Sequence, residues 1–134
     1  MALTEGTRVI VAAIPENGIK MTCLETVKRG DLLGVTASTG TVFPVSSDDA
    51  EQGRLVAGTD GDADEVIPCY WMAVIDGFTG GTQGGAVYPF TTAGQYTETA
   101  VTTAADTNTI VGYILTATMI IVLPGVRADS VVAT

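Results

Sequence analysis

Two apolar runs decide the fold: Thr109-Ile-Val-Gly-Tyr-Ile-Leu-Thr116 and Met119-Ile-Ile-Val-Leu123. The first run is apolar at both parities, which predicts a strand buried on both faces. Its two sets of side chains are Ile110 and Ile114 on one face, and Val111, Tyr113 and Leu115 on the other. The second run stops at Pro124, because proline cannot donate to a strand ladder. Together the runs predict a hairpin at the centre of an all-β core.

Two more strands are expected upstream of this hairpin. Ala86-Val-Tyr-Pro-Phe90 and the Thr-rich segment Tyr96-Thr-Glu-Thr99 are separated by a turn that contains Gly94. β-Branched and aromatic residues with polar alternation are typical of strands that have one face in water. The whole stretch from Ala86 to Leu123 therefore predicts a four-stranded meander.

This stretch resembles a known family. The succession Gly85-Ala-Val-Tyr-Pro, Ala93-Gly-Gln-Tyr-Thr and Ile110-Val-Gly-Tyr-Ile-Leu-Thr-Ala-Thr is similar to the C-terminal half of small tailed-phage capsid decoration (cement, head-stabilising) proteins. The resemblance covers less than half of the chain and includes no catalytic motif. It implies a β-rich virion protein that is made in the host cytoplasm, binds the major capsid protein on the capsid exterior and stabilises the expanded head. A homotrimer is expected, because icosahedral heads present local three-fold axes.

Composition limits the possible functions. The chain has 134 residues, which suit one domain. Hydrophobic residues make up 46% and charged residues 16% of it, so some apolar surface is expected to be buried between subunits. Six basic against fifteen acidic residues give a net charge of −9, which argues against nucleic acid and anionic membranes as partners. The apolar runs are far shorter than the ~20 residues that span a bilayer.

The rest of the chain also predicts short strands. Arg8 to Ile14 and Ile19 to Leu24 flank the turn Pro15-Glu-Asn-Gly18, which predicts a hairpin. Further strands are expected at 32–35, 41–45 and 54–58, with one short helical turn over Ser46 to Gly53. The long apolar run from Val66 to Ile75 contains Pro68, which predicts an edge strand or a bulge there. The predicted fold is a small single-domain β-barrel or β-sandwich with at most one or two short helical turns.

The first residues of the chain are expected to differ from the domain that follows them. Residues 1–7 are small and polar and predict an N-terminal arm outside the core, whereas residues 8–134 form the decoration-type domain. Under the family resemblance, the arm is expected to contact the capsid. Its predicted contact residues are Leu3, Thr4, Glu5 and Thr7.

The start of the chain lacks the basic and apolar segments of a secretory signal, so folding in a reducing cytoplasm is expected. In such a compartment, Cys23 and Cys69 are expected to be buried free thiols.

No enzyme chemistry is expected. The chain has no histidine, which removes the commonest general base and metal ligand. Asp60, Asp62 and Asp64 have the spacing that begins a calcium loop, but Glu65 occupies the place of the required Gly and Trp71 that of the bidentate Glu. We therefore predict a solvated acidic loop with no dedicated metal site and no cofactor, and weak adventitious Ca²⁺ or Mg²⁺ binding is the alternative for the loop.

Three other motifs receive ordinary explanations. The Arg29-Gly30-Asp31 tripeptide is interpreted as a turn before a strand, and the Gly-rich segment 77–85 lacks the Lys-Ser/Thr and helix of a phosphate loop. Six aromatic residues could form a sugar platform if they shared a face, so a carbohydrate-binding β-module is the alternative function. These residues are Tyr70, Trp71, Phe78, Tyr88, Phe90 and Tyr96.

Overall fold

A computed structural model describes residues 3–133, and these residues form a β-sandwich of two antiparallel sheets. The all-β prediction is confirmed, with a sandwich in place of a closed barrel. The strands are β1 Val9–Ile14, β2 Ile19–Thr22, β3 Leu32–Val35, β4 Val42–Pro44, β5 Leu55–Ala57, β6 Val66–Tyr70, β7 Met72–Asp76, β8 Ala86–Pro89, β9 Tyr96–Thr97, β10 Gly112–Thr116 and β11 Met119–Val122. Within the described part of the chain, no helix is long and apolar enough to cross a membrane.

The six-stranded sheet has the order β1-β7-β11-β10-β8-β9, and the five-stranded sheet has the order β2-β6-β5-β3-β4. Their facing sides bury the main core, to which both sheets contribute large side chains. Examples are Leu32 and Val56 from the five-stranded sheet, and Ile75, Ile114 and Ile120 from the six-stranded sheet.

Two predicted hairpins are confirmed. β10 pairs with β11 at the centre of the six-stranded sheet, and β8 pairs with β9. The simple meander is wrong, however, because β10 pairs with β8, which leaves β9 at the edge. β9 has only two residues, and the polar segment after it returns the chain to the other side of β8.

The predicted hairpin between β1 and β2 is also wrong. β1 pairs with β7 in one sheet and β2 pairs with β6 in the other, so the turn at 15–18 carries the chain between sheets. The long apolar run 66–75 makes the same crossing, since a bend at Trp71 divides it into β6 and β7. The two crossings lie together, because the Trp71 amide donates to the Ile14 carbonyl at 3.0 Å.

The edge strand or bulge predicted at Pro68 is wrong, because β6 lies between β2 and β5 and pairs with β2 without a register shift. β5 ends at Ala57, and the Pro68 carbonyl accepts a hydrogen bond from the amide of Gly58, just past that end. The amide and carbonyl of one strand residue point to the same neighbour. The missing N–H of Pro68 therefore falls where the β5 ladder has already ended, and the sheet tolerates the proline.

The two sheets are joined along one side by main-chain hydrogen bonds. Gly94 donates to the Val45 carbonyl at 2.8 Å, and Ser47 donates to the Phe90 carbonyl at 2.9 Å. The segment after Val45 forms turns and bends and not the predicted helical turn. On the opposite side β1 and β2 lie at the sheet edges and are connected by the turn at 15–18.

Two burial predictions are corrected. In β10, Ile114 is buried but Leu115 is exposed, so within this chain only one face of the strand is covered. The N-terminal segment was expected outside the core, yet Leu3 is only 8% exposed and belongs to the main core cluster. Thr4 and Thr79 exchange two main-chain hydrogen bonds, at 2.9 and 3.0 Å, which hold Leu3 in place. Met1 and Ala2 lie outside the described residues.

Candidate functional site

A broad apolar surface covers the side of the six-stranded sheet that faces away from the core. The strand register places Ala12, Val74, Ile121, Tyr113 and Ala86 in one row across five neighbouring strands. All five side chains are at least partly exposed, and none carries a charge. A sheet face in water normally alternates polar residues with the buried ones, so an uncharged row of this length is a feature of binding surfaces. We call this surface the outer apolar face; it also includes Ile14, Met72, Tyr88 and Met119.

The chain covers the corresponding face of the five-stranded sheet but leaves this one open. A second buried cluster packs on the far side of the five-stranded sheet, beneath the segments 23–31 and 59–65. Val27 and Gly61 exchange main-chain hydrogen bonds of 2.8 and 3.0 Å that fix this cover. Among residues 3–133 no buried cluster forms over the outer apolar face. Arg127 reaches its rim, where the guanidinium donates to the Tyr113 hydroxyl at 3.0 Å.

A small cup lies at one end of the outer apolar face. Trp71, Leu123 and Val126 line it, together with Arg54, and its volume is about 230 Å³. Trp71, the chain's only tryptophan, is 49% exposed although its side chain is large and mostly apolar. Both terminal nitrogens of Arg54 donate to the carboxylate of Asp129, at 2.7 and 2.6 Å. Tryptophan and arginine are enriched among the residues that contribute most to protein–protein binding.

A buried charged cluster lies elsewhere, around Arg8. Its guanidinium donates to Glu5 at 2.8 Å, to Asp31 at 2.6 Å and to the Gly94 carbonyl at 3.1 Å, and it lies 5.5 Å from the centre of the Tyr96 ring. The side chains of Arg8 and Asp31 are only 9% and 8% exposed. An open cleft of about 590 Å³ adjoins the cluster. Because the guanidinium has partners on three segments of the chain, we assign the cluster a role in holding the fold.

Burial sets the protonation behaviour of this cluster. It raises the pKa of Asp31, which the Lys28 amide and the Arg8 guanidinium offset only in part. Burial on its own would lower the pKa of Arg8, but the hydrogen bond to Glu5 and the neighbouring carboxylates leave that pKa raised. Burial also raises the pKa of Tyr96, whose hydroxyl donates to the Gly30 carbonyl at 2.7 Å. Arg8 is therefore charged at every ordinary pH.

The residues of the tripeptide and the acidic loop are mostly engaged in local structure. Asp31 of the Arg-Gly-Asp sequence is buried against Arg8, so the tripeptide is not presented as an exposed ligand. Asp60 accepts the Arg29 amide at 2.8 Å, and Glu65 accepts the Asp62 amide at 2.7 Å. Across residues 3–133 the structure contains no group of three or more acidic, Cys or His residues placed to hold a metal ion.

The predicted capsid-contact residues divide into two pairs. Leu3 is in the core and Glu5 is in the Arg8 cluster, so neither belongs to a loose arm. Thr4 and Thr7 are exposed. Contact of any of the four with a capsid stays a prediction.

The two cysteines are both buried and unpaired. Burial raises the pKa of Cys69 to about 12 and also raises that of Cys23, so both are protonated thiols at neutral pH. Raised thiol pKa values lower reactivity, because the thiolate is the nucleophile. We therefore assign the cysteines to packing.

The six aromatic residues do not form one platform. Phe78 and Tyr96 are buried against each other with ring centres 6.2 Å apart, and Tyr70 packs on the core. Trp71 points into the cup, while Tyr88 belongs to the outer apolar face. Phe90 is 38% exposed and Trp71 is 49% exposed, so Trp71 is the most exposed of the six.

Comparison with known proteins found no match to the chain among protein-family models, curated proteins or solved structures. Functional argument thus rests on the surface itself. The sequence did contain a signal for the outer apolar face, namely apolar residues at both parities of β10 and β11. It contained no local signal for the Arg8 cluster, since Asp31 and Gly94 are distant from Arg8 along the chain.

Proposed function

We propose that this chain is a structural virion protein that binds the outer surface of a phage capsid as a homo-oligomer and stabilises the expanded head. The observation that carries the proposal is the uncovered outer apolar face on a chain of net charge −9, which supports the homo-oligomeric form expected to bind the capsid. Such a surface suits contact with other protein surfaces. The resemblance of the segment 85–118 to capsid decoration proteins is the support for a major capsid protein as the partner.

In this proposal a trimer binds at a local three-fold axis of the head, where three copies make equivalent contacts. Joining three contacts in one oligomer raises the overall affinity far above that of one contact. Binding to the assembled, expanded shell adds its free energy to the shell and opposes the pressure of the packaged genome. The chain has no catalytic step in this role, and it needs no cofactor, nucleic acid or membrane.

The test uses virions of the phage that encodes the chain, purified with the gene present and with the gene deleted. We expect mass spectrometry to find the chain in the intact virions, and negative-stain images to show surface density that the deletion removes. Particles that lack the chain should release DNA at a lower temperature than intact virions. Adding the purified protein to them should restore the release temperature of intact virions. Absence of the chain from purified virions would contradict the proposal.

A carbohydrate-binding module is the second candidate, and one observation favours it. The exposed Trp71 ring could stack on a sugar while the neighbouring Arg54 and Asp129 bind hydroxyl groups. Because Trp71 is the only tryptophan, its fluorescence reports directly on the cup. A saturable change in Trp71 fluorescence on titration with mono- and disaccharides, abolished by Arg54→Met, which keeps the tryptophan, would support this candidate. No change would favour capsid decoration.

A further inference from the structure

We infer that the outer apolar face is the surface through which copies of this chain associate with one another. The inference rests on the proposed function, since the oligomer is the form expected to bind a capsid. It adds the location of the interface, which the sequence did not specify, and it makes Trp71 a contact residue at the edge of that interface.

The first argument is the chemistry of the face. Its central row is apolar from β1 to β8, and the next row pairs Ile14 with Met72. The carboxylate on the outward parity of β7 is Asp76, at the end of the strand, where it accepts the amide of Gly77 at 2.8 Å. The Tyr113 hydroxyl is bonded to Arg127. The central row has no charged side chain, so covering it buries no unpaired charge there. A buried unpaired charge would be the largest cost of covering such a surface.

The second argument is the free edge beside the face. β1 reads Val-Ile-Val-Ala-Ala-Ile, with no charge and no proline, and it is the outermost strand of its sheet. Val9, Val11 and Ile14 are each more than two-fifths exposed. An exposed apolar edge strand invites association unless something covers it. A partner on the outer apolar face would also reach this edge.

The third argument identifies the partner as another copy of the chain. The chain has nine more acidic than basic residues, so two copies repel each other wherever their charged surfaces meet. The outer apolar face is where that repulsion is weakest, because its central row has no charged side chain. A basic partner would gain nothing from this face over the acidic remainder of the surface. Contact of the face with the same face of a second copy closes as a two-fold dimer, whereas in a three-fold ring the face of each copy meets a different patch of its neighbour.

The cup at the end of the face supplies an anchor. Its apolar lining of Trp71, Leu123 and Val126 is open enough to receive one side chain from a neighbouring copy. Arg54 is already neutralised by Asp129, so burying the rim of the cup does not leave an unpaired guanidinium. Association should thus move Trp71 from water into an apolar setting.

The experiment compares two matched substitutions by size exclusion with light scattering. Val74→Lys places a charge at the centre of the outer apolar face, and Val66→Lys places the same charge on β6 of the other sheet, where Val66 is 60% exposed. We expect the parent chain and Val66→Lys to have a mass that is a multiple of 13.7 kDa, and Val74→Lys to have the mass of one chain. Dilution should shift the Trp71 emission of the parent to the red, and Val74→Lys should show red-shifted emission at every concentration.

Three results would overturn the inference: a parent chain of single mass at micromolar concentration, equal masses for the two variants, or Trp71 emission unchanged by dissociation. If circular dichroism shows that Val74→Lys is unfolded, Ile14→Lys replaces it, since Ile14 lies on the same face and is 42% exposed. The proposed function fails separately. A parent chain that associates as expected but does not cosediment with expanded capsids would contradict the proposed capsid binding. The inferred interface between copies would still stand.

Discussion

Replacement of Arg8 by Met is expected to destabilise the fold strongly. The substitution keeps an unbranched apolar side chain but removes the charge that pairs with Asp31 at 2.6 Å and Glu5 at 2.8 Å. Because the Asp31 side chain is 8% exposed, its carboxylate would be left buried without a counter-ion. Breaking a buried pair in this way costs about 3–5 kcal/mol. For a domain of this length that corresponds to a fall in Tm of roughly 10–20 °C.

The chain offers a matched control in its exposed ion pair. Arg54→Met breaks a bidentate contact with Asp129, but the two side chains are 44% and 47% exposed. Water and salt screen such a pair, so its loss should cost less than about 1 kcal/mol. Both variants are measured by thermal and urea unfolding at one protein concentration, since self-association makes Tm depend on concentration. Equal losses for Arg8→Met and Arg54→Met would refute the assignment of the Arg8 cluster to the fold.

The pH dependence provides a second readout of the same prediction. Burial raises the folded-state pKa of Asp31 above its ordinary value, so the native state favours the protonated acid. The stabilising contribution of protonation is complete below the unfolded pKa of about 3.9 and is lost as the pH rises through the folded pKa. Removing the Arg8 guanidinium raises that folded pKa further. The deficit of Arg8→Met should therefore shrink between pH 7 and pH 4, and adding Asp31→Asn should recover part of the stability at pH 7.

Two other expectations follow from burial. Leu3→Ala should lower the free energy of unfolding, measured by urea denaturation, by about 2–3 kcal/mol, because Leu3 is in the main core. A loss below about 0.5 kcal/mol would show instead that the N-terminal segment is a loose arm. Mass spectrometry after alkylation should show Cys23 and Cys69 protected in the native protein, since they are buried thiols with raised pKa values, and both modified under denaturing, non-reducing conditions. Rapid labelling of the native protein would contradict their assignment to packing.

The sequence predicted local pairing well and the connections between sheets poorly. The β10–β11 hairpin follows from a short turn between two apolar runs, and that information is local. The turn at 15–18 has the same local features, including Gly18 at a φ of 77°, yet it carries the chain from one sheet to the other. A short Gly turn permits either outcome. The outcome at this turn depends on whether β7 or β2 is the better pairing partner for β1. Because β7 is more than fifty residues away in sequence, local sequence features do not reveal this.

The Arg8 cluster could not be predicted for a related reason. Arg8 alone indicates only a solvated charge at the start of a strand. Its burial depends on two distant segments, one that brings Asp31 and one that brings Gly94, and each is positioned by strands of a different sheet. Leu3 follows from the same assembly, since it packs into a core that exists only after both sheets have formed. A single apolar residue in a polar segment gives no periodic signal, so the sequence alone predicts an arm there.

One pattern in the sequence has two different structural outcomes, and comparing them bears on the interface. Apolar residues occur at both parities in β3, where Leu32 faces the main core and Leu33 faces the second cluster beneath the 23–31 segment. The same pattern in β10 and β11 covers Ile114 and Ile120 but leaves Tyr113 and Ile121 on the open side. Hydrophobic periodicity reports that a face is suited to burial and not which chain buries it. For the five-stranded sheet the cover is in the same chain. For the six-stranded sheet, the proposed association would supply it from a second copy, so the rule that failed for β10 within one chain would hold for the oligomer.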